Sequence, residues 1–146
     1  MTDVVLVYPY FNEELDRSIF RYPPLGLGYL AAVLRDAGYS VGLIDCTFLR
    51  VESALQRIAQ LKPRILGIYS MVTINHHAIS IAQHFRPKVE LLVAGGPLPT
   101  YVPEEFLDAF DVVVVGEGEV TFLELVTRFF QKASLAQVSG VAYKGA

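Results

Sequence analysis

The sequence is poor in cysteine, in basic charge and in long apolar runs, and each shortage excludes a class of protein. The single cysteine, Cys46, excludes an internal disulfide, a zinc ribbon and an iron–sulfur cluster held by this sequence's own thiolates. A formal net charge of -3 provides no basic field for a phosphate backbone, so we expect no nucleic-acid partner. The longest apolar runs fall far short of the roughly 18 residues that a membrane-spanning helix needs, so we expect no membrane partner either.

Apolar residues are nevertheless plentiful, and they belong in a core. They make up 53% of the 146 positions, which suits one domain of ordinary size. The first ten residues, MTDVVLVYPY, have no cationic stretch before the apolar run, and no signal peptide is evident from them. These features predict a cytoplasmic protein.

Segments rich in β-branched residues recur along the chain and are apolar almost without interruption. Such runs are typical of strands in a parallel sheet that has helices on both faces. The predicted strands are residues 4–8, 40–45, 64–70, 89–94 and 111–115.

Helical patterns lie between these strands. The predicted helices are residues 25–37, 51–61, 74–85, a short one at 103–109, and 119–131. Alternation of strand and helix predicts an α/β fold with three layers, a doubly wound parallel sheet of five strands in the order 2-1-3-4-5. After residue 131 the pattern weakens, and residues 138–144 look like an edge strand or the start of something larger.

In this strand order a ligand crevice is expected between strands 1 and 3, at the carboxyl edge of the sheet. The loops at residues 9–22 and 71–75 would form its walls. The first loop is long, at about fourteen residues, which is uncommon in a compact α/β domain unless the loop covers a ligand. Tyr8 and Pro9, where that loop begins, are therefore candidate ligand contacts.

Two glycine-rich segments follow the fourth and fifth strands. In GGPLPTYVPEE, at residues 95–105, Gly95 and Gly96 let a ligand approach the backbone, and Pro97 stiffens the loop. A simple chain turn explains these two glycines about equally well.

The second segment, GEGE, leads into the last helix. Gly116 and Gly118 are approach points, and Glu117 and Glu119 are favourable at a helix amino terminus. Neither glutamate has a base or nucleophile nearby in the sequence, so no catalytic residue is assigned.

The third candidate segment is Ser70, Met71, Val72 and Thr73, at the end of the third strand. Capping of the next helix explains Thr73 better than a ligand contact does, whereas Ser70 lies too early to cap and is the better ligand candidate.

Two adjacent histidines lie in the first turn of the predicted helix at residues 74–85. A metal site that used His76 and His77 would need a third ligand from another loop, and the sequence offers none, so no metal site is assigned.

Four segments together resemble a known family. They are PPLGLGYLAAVLRDAGYSVGLIDC at residues 23–46, SMVT from Ser70, GGPLPT from Gly95 and GEGE from Gly116. Their combination is similar to the amino-terminal cobalamin-binding domain of B12-dependent radical S-adenosylmethionine enzymes, which include methyltransferases and the anaerobic magnesium-protoporphyrin monomethyl ester cyclase.

The resemblance implies a flavodoxin-like (Rossmann-like) fold that holds cobalamin, with its lower base off the cobalt, across the carboxyl edge of the sheet. The dimethylbenzimidazole tail would enter a slot beside the loops after strands 3, 4 and 5. By the same resemblance, Ser70 and Thr73 would contact the tail. Gly95, Gly96 and Pro97 would pass under the corrin ring or along the tail, and residues 116–119 would flank it.

The sequence departs from related patterns in three respects. PYFNEE follows Tyr8 where other cobalamin proteins carry DxHxxG, so the resemblance implies no axial histidine. Cobalt would be five-coordinate, or capped by water or by a residue of the first loop. Leu98 replaces the polar or histidine residue of many relatives. The CxxxCxxC motif that binds a [4Fe-4S] cluster and S-adenosylmethionine is absent.

The resemblance therefore implies that residues 1–146 are a cobalamin-binding domain, a fragment of a longer enzyme whose radical S-adenosylmethionine barrel follows it. This domain alone would bind cobalamin without catalysing a reaction. The longer enzyme would be a methyltransferase or a cyclase, with its substrate and oligomeric state left open.

Two other interpretations stay open on the sequence alone. One is a flavodoxin-like or receiver-type signalling module. A receiver should have an acidic cluster after the first strand and a lysine after the fifth, but residues 12–14 lie too late in their loop and Glu117 occupies the second place. A degenerate structural domain would have kept the fold and lost the ligand. A bulky residue at Gly96 is expected to separate cobalamin binding from the degenerate domain, by abolishing corrin binding while the fold stays intact.

Overall fold

The computed structural model describes residues 1–12 and 22–144, and a sheet of six strands runs through its centre. The strands are β1 (Thr2–Tyr8), β2 (Val41–Asp45), β3 (Pro63–Tyr69), β4 (Leu91–Gly95), β5 (Val112–Val114) and β6 (Val141–Tyr143). Their order is β2-β1-β3-β4-β5-β6. The first five are parallel, and β6 runs antiparallel to β5.

Helices cover both faces of this sheet. They are α1 (Leu25–Asp36), α2 (Val51–Leu61), α3 (Asn75–Phe85), α4 (Pro97–Tyr101), α5 (Pro103–Phe106) and α6 (Glu119–Phe130). The apolar side chains of α1 and α6 pack in one core on one face, and those of α2, α3, α4 and α5 pack in a second core on the other.

The predicted fold class and the predicted order of the first five strands are confirmed, and the predicted strand number is corrected. A sixth strand, β6, pairs with β5 through Val113 and Ala142. It lies within the segment that the sequence marked as an edge strand or the start of something larger. Its residues are only half-buried, so their pattern carries little of the apolar signal that identifies the inner strands.

Two further differences concern the chain after β4. Residues 97–101, predicted as a stiff loop, form the short helix α4, because proline is well suited to the first position of a helix. The following helix, α5, ends at Phe106 rather than at residue 109.

The inner strands send side chains alternately into the two cores. On β1, Val5 and Val7 pack against the α2 and α3 side, whereas Val4 and Leu6 pack against the α1 and α6 side. All four are buried. Burial on both faces is the physical reason why these strands are continuously apolar in sequence.

The thiol of Cys46 lies inside this fold and should be chemically inert. Its side chain is fully buried, and burial, with a smaller contribution from the Asp45 carboxylate, raises the pKa of the thiol to about 12. Because the thiolate is the reactive form, a disulfide reagent at pH 8 should label the native protein only as fast as it unfolds, and labelling in denaturant should be immediate. Rapid labelling of the native protein would contradict this burial.

The same shift gives a pH dependence of stability. An unfolded thiol has a pKa near 8.5, so the unfolded chain loses this proton first. The free energy of unfolding should therefore fall as the pH rises from about 8.5 towards the folded value of about 12. Replacing Cys46 by serine removes the thiol and should remove this part of the pH dependence.

Candidate ligand-binding site

A cavity of about 470 Å³ opens at the carboxyl edge of the sheet, on the face covered by α1 and α6. Its volume falls within the roughly 300–1,000 Å³ that is usual for small-molecule sites. Most of the side chains that line it are apolar, and they come from three strands and both helices: Leu6, Leu27, Leu30, Val93, Val114 and Phe122.

The cavity exists because β4 and β5 separate at their carboxyl ends. Their parallel pairing stops at Ala94 and Val113. Beyond that point the Gly95 carbonyl accepts a hydrogen bond from the Ser70 N–H at 2.8 Å, and the Val115 N–H donates to the Gly140 carbonyl at 2.8 Å. Each strand end thus bonds to a different neighbour, which leaves an opening between them.

The two glycines after β4 have different physical roles. A Cβ built on Gly95 would meet no atom of the described residues within 4 Å, so this glycine exposes bare backbone to the cavity. A Cβ on Gly96 would lie 2.5 Å from the Ser70 carbonyl oxygen, and the φ of Gly96 is +111°. Gly95 thus keeps the cavity open, whereas Gly96 is required by the backbone itself.

The loop after β5 is tied to α4 across the mouth of the cavity. The Gly116 N–H donates a hydrogen bond of 2.9 Å to the Thr100 hydroxyl. Gly116, Glu117, Gly118 and Glu119 all line the cavity. The segments after β4 and β5 therefore meet at this cavity, whereas the loop at residues 71–75, predicted as a crevice wall, does not line it.

Removal of this tie should have a measurable cost. Thr100→Val keeps the shape of the side chain and loses the hydroxyl, so the free energy of unfolding should fall by about 0.5–1.5 kcal/mol. Urea denaturation measures it, and Thr100→Ser, which keeps the hydroxyl, is the control. A Thr100→Val protein as stable as the wild type would show that this hydrogen bond does not stabilise the fold.

The other predicted contact residues do not line this cavity. Ser70 is completely buried, and its hydroxyl has no hydrogen-bond partner among the described residues. Met71 is half-buried, and Val72 and Thr73 are exposed. Ser70 directly follows Tyr69, which does line the cavity. These four residues thus follow the wall of the cavity without forming it.

The end of β1 carries an aromatic cluster beside the cavity. Tyr8 contacts Tyr69 and Tyr10, with ring centroids 5.3 and 6.0 Å apart. Burial raises the pKa of both Tyr8 and Tyr69, so both phenols stay protonated at neutral pH. Pro9 is buried. The remainder of the long first loop, residues 13–21, lies outside the described residues.

Leu98 and the histidines also lie away from the cavity. Leu98 packs against the core on the opposite face of the sheet, so its replacement of a polar residue does not alter the cavity wall. The His76 and His77 rings are 4.0 Å apart, and His77 also contacts Phe11. Within residues 1–12 and 22–144, no group of three or more histidine, cysteine, aspartate or glutamate residues could hold a metal ion.

Reasoning from the sequence missed part of the lining. Gly67 lies at the floor of the cavity, in the interior of β3, where a Cβ would come within 2.9 Å of Leu6 Cδ2. A glycine inside a strand often marks a close approach of another group, so this signal was available. Leu27, Leu30 and Phe122 carry no such signal, because core positions on a helix look alike in sequence.

A doubly wound sheet with an apolar cavity at its carboxyl edge defines a small-ligand-binding domain of the α/β class. In the described ranges no helix has the length and apolarity to cross a bilayer.

The chain belongs to the B12 binding domain family, whose model matches residues 16–126. This match confirms the resemblance inferred from the four sequence segments, and with it the assignment as a cobalamin-binding domain.

Curated relatives are longer proteins. An uncharacterized methyltransferase from Pyrococcus horikoshii is 32% identical over 97% of this chain and 32% of the relative. The anaerobic magnesium-protoporphyrin IX monomethyl ester cyclase of Synechocystis is 30% identical over 84% of this chain and 26% of the relative. The chain thus spans between about a quarter and a third of the length of these relatives.

Solved structures share the fold. The radical S-adenosylmethionine methyltransferase TsrM from Kitasatospora setae, with cobalamin and a [4Fe-4S] cluster bound, superposes with a TM-score of 0.80 at 22% identity, over 98% of this chain and 27% of that one. The cobalamin-dependent enzyme OxsB, with aqua-cobalamin and S-adenosylmethionine bound, gives a TM-score of 0.83 at 20% identity, over 98% of this chain and 21% of that one.

Proposed function

We propose that this domain holds cobalamin in the base-off form, with the nucleotide tail in the cavity and the corrin ring across the carboxyl edge of the sheet. The observation that carries this proposal is the open, apolar cavity beside the bare backbone of Gly95. Bound cobalamin would supply the reactive cobalt for methyl transfer or cyclisation, while the residues of this domain bind and orient it.

The residues present fit such a ligand. An aromatic base with few polar atoms suits a wall of leucine, valine and phenylalanine side chains. The backbone at Gly95 permits close approach of a flat ring, since no side chain projects there. The hydroxyl of buried Ser70, which has no hydrogen-bond partner among the described residues, lies outside the cavity lining.

Contacts with the ligand are assigned by position. Gly95, Gly96 and Pro97 would lie along the tail or under the corrin ring, and the residues that line the mouth would flank the tail. The latter are Gly116, Glu117, Gly118 and Glu119.

Contacts from outside the cavity are predictions from the sequence, and for Ser70 and Thr73 they follow from the family resemblance. They are assigned to Tyr8, Pro9, Ser70, Met71, Val72 and Thr73. These residues would face the corrin ring or the tail from beyond the cavity wall, at the same edge of the sheet.

We further propose that the chain is the cofactor-holding part of a longer cytoplasmic B12-dependent radical S-adenosylmethionine enzyme, a methyltransferase or a cyclase. A carboxyl-terminal domain of the same chain would carry the [4Fe-4S] cluster and S-adenosylmethionine. Support comes from the curated relatives, of which this chain covers 32% and 26%.

Corrin retention tests cobalamin binding directly. The protein is incubated with hydroxocobalamin, desalted, and examined for corrin absorbance that co-elutes with it. We expect stoichiometric retention and the spectrum of a base-off corrinoid. Retention of no corrin by the folded protein, at several ligand concentrations, would support the degenerate structural domain instead.

A further inference from the structure

We propose that the cavity selects the lower base of the corrinoid, and that it prefers an apolar benzimidazole base to adenine. Natural corrinoids differ in this base, which would lie in the cavity if the proposed function is correct. The inference rests on that function and names the ligand more narrowly.

The buried part of the cavity lining is apolar. Leu6, Leu27, Val93, Val114 and Phe122 are exposed by 1%, 7%, 2%, 5% and 2%. Their side chains have neither hydrogen-bond donors nor acceptors.

The polar side chains of the lining lie nearer to solvent. Tyr69, Thr100 and Glu119 are half-buried, and Glu117 is exposed. The Thr100 hydroxyl already accepts a hydrogen bond from the Gly116 N–H. A base that enters the cavity fully would therefore meet hydrocarbon side chains at its inner end and polar side chains only towards the mouth.

Adenine and dimethylbenzimidazole differ at that inner end. Adenine carries an exocyclic amine and extra ring nitrogens, which lose their hydrogen bonds to water when they are buried against hydrocarbon. The two methyl groups of dimethylbenzimidazole instead gain from the same burial. The combined difference predicts a preference of about 10- to 100-fold for the benzimidazole base.

A direct comparison of corrinoids tests the preference. Cobalamin and its adenine analogue are titrated into the protein and followed by absorbance, with cobinamide, which has no lower base, as the reference. Cobalamin must first release its own base from cobalt, so each affinity is divided by the base-off fraction of that free corrinoid. We expect the corrected affinity for cobalamin to exceed that for the adenine analogue by about 10-fold or more.

A matched pair of variants avoids that correction. Val114→Thr replaces a methyl group in the cavity wall by a hydroxyl of similar size. Val112→Thr places one two residues earlier, on the same face of β5 and equally buried, at a position that does not line the cavity. The base-off fraction of each free corrinoid is the same whichever protein is titrated. It therefore cancels when the ratio of the two corrinoid affinities is compared between variant and wild type. Val114→Thr should lower the ratio of cobalamin affinity to adenine-analogue affinity by about 3- to 10-fold, and Val112→Thr should leave that ratio unchanged.

The outcomes separate this inference from the function on which it rests. Failure of the folded protein to bind any corrinoid would overturn both. Binding of cobalamin and the adenine analogue with equal corrected affinity would overturn the selectivity alone. An equal shift of the affinity ratio in both threonine variants would likewise show that the cavity wall does not discriminate between the two bases.

Discussion

Gly96→Ala should lower the free energy of unfolding by about 2–3 kcal/mol. The φ of Gly96 is +111°, and a Cβ there would lie 2.5 Å from the Ser70 carbonyl oxygen. That oxygen belongs to the backbone that joins β3 to α3, so it cannot swing away as a flexible side chain would. The strain of the backbone conformation and the steric clash therefore act together.

Urea denaturation followed by circular dichroism measures this effect. Gly28→Ala is a suitable control, since Gly28 lies in α1, a Cβ there would meet no described atom within 4 Å, and the residue does not line the cavity. Because alanine favours a helix over glycine, the control should be more stable than the wild type by about 0.5–1 kcal/mol. A urea midpoint of Gly96→Ala equal to that of the wild type would show that the backbone after β4 does not require glycine at this position.

This expectation corrects one drawn from the sequence. A bulky residue at Gly96 was expected to abolish corrin binding while the fold stayed intact, which would distinguish a ligand role from a structural one. The close contact with Ser70 removes that distinction, because loss of binding would follow from loss of structure. The neighbouring glycine provides the cleaner test.

Gly95→Val should weaken cobalamin binding by about 10- to 100-fold with little change in stability. The Cβ of the new side chain would enter open space in the cavity. Valine is well suited to a strand, so we expect the free energy of unfolding to stay within about 0.5 kcal/mol of the wild-type value. The variant thus fills the ligand's volume and leaves the fold alone.

Absorbance titration with hydroxocobalamin measures the loss of affinity, and urea denaturation verifies the fold. Gly28→Ala is again the control, because its methyl group lies outside the cavity. If the tail occupies the cavity, Gly95→Val should also lower the ratio of cobalamin affinity to cobinamide affinity. Wild-type affinity in Gly95→Val would place the ligand elsewhere on the carboxyl edge.

The sheet and the helices beside it could be predicted from the sequence, because a strand that is buried on both faces is continuously apolar. Val4, Val5, Leu6 and Val7 are all buried, and a run of this kind identifies an inner parallel strand without further information. The alternation of such runs with amphipathic helices then limits the strand order to a few topologies. β6 escaped this logic, since a short, half-buried edge strand has no distinctive pattern.

The candidate site could be predicted only in part. Gly95 and residues 116–119 follow strands, and parallel strands bring their carboxyl ends to one edge, so their meeting was foreseeable. The separation of β4 from β5 after Ala94 was not, because it depends on which neighbours the Gly95 and Val115 backbone groups find. Nor could the sequence distinguish two adjacent glycines, one beside empty space and the other against a carbonyl oxygen.

By itself, the sequence determined the layered α/β fold, the order of the five parallel strands and the family of the domain, since hydrophobic periodicity and short glycine motifs are local properties of the chain. Only the tertiary structure decided which side of the sheet carries the cavity, which side chains line it, and that Ser70 and Leu98 lie outside it. Those features depend on distances between residues far apart in sequence, which are set by packing and leave no local pattern.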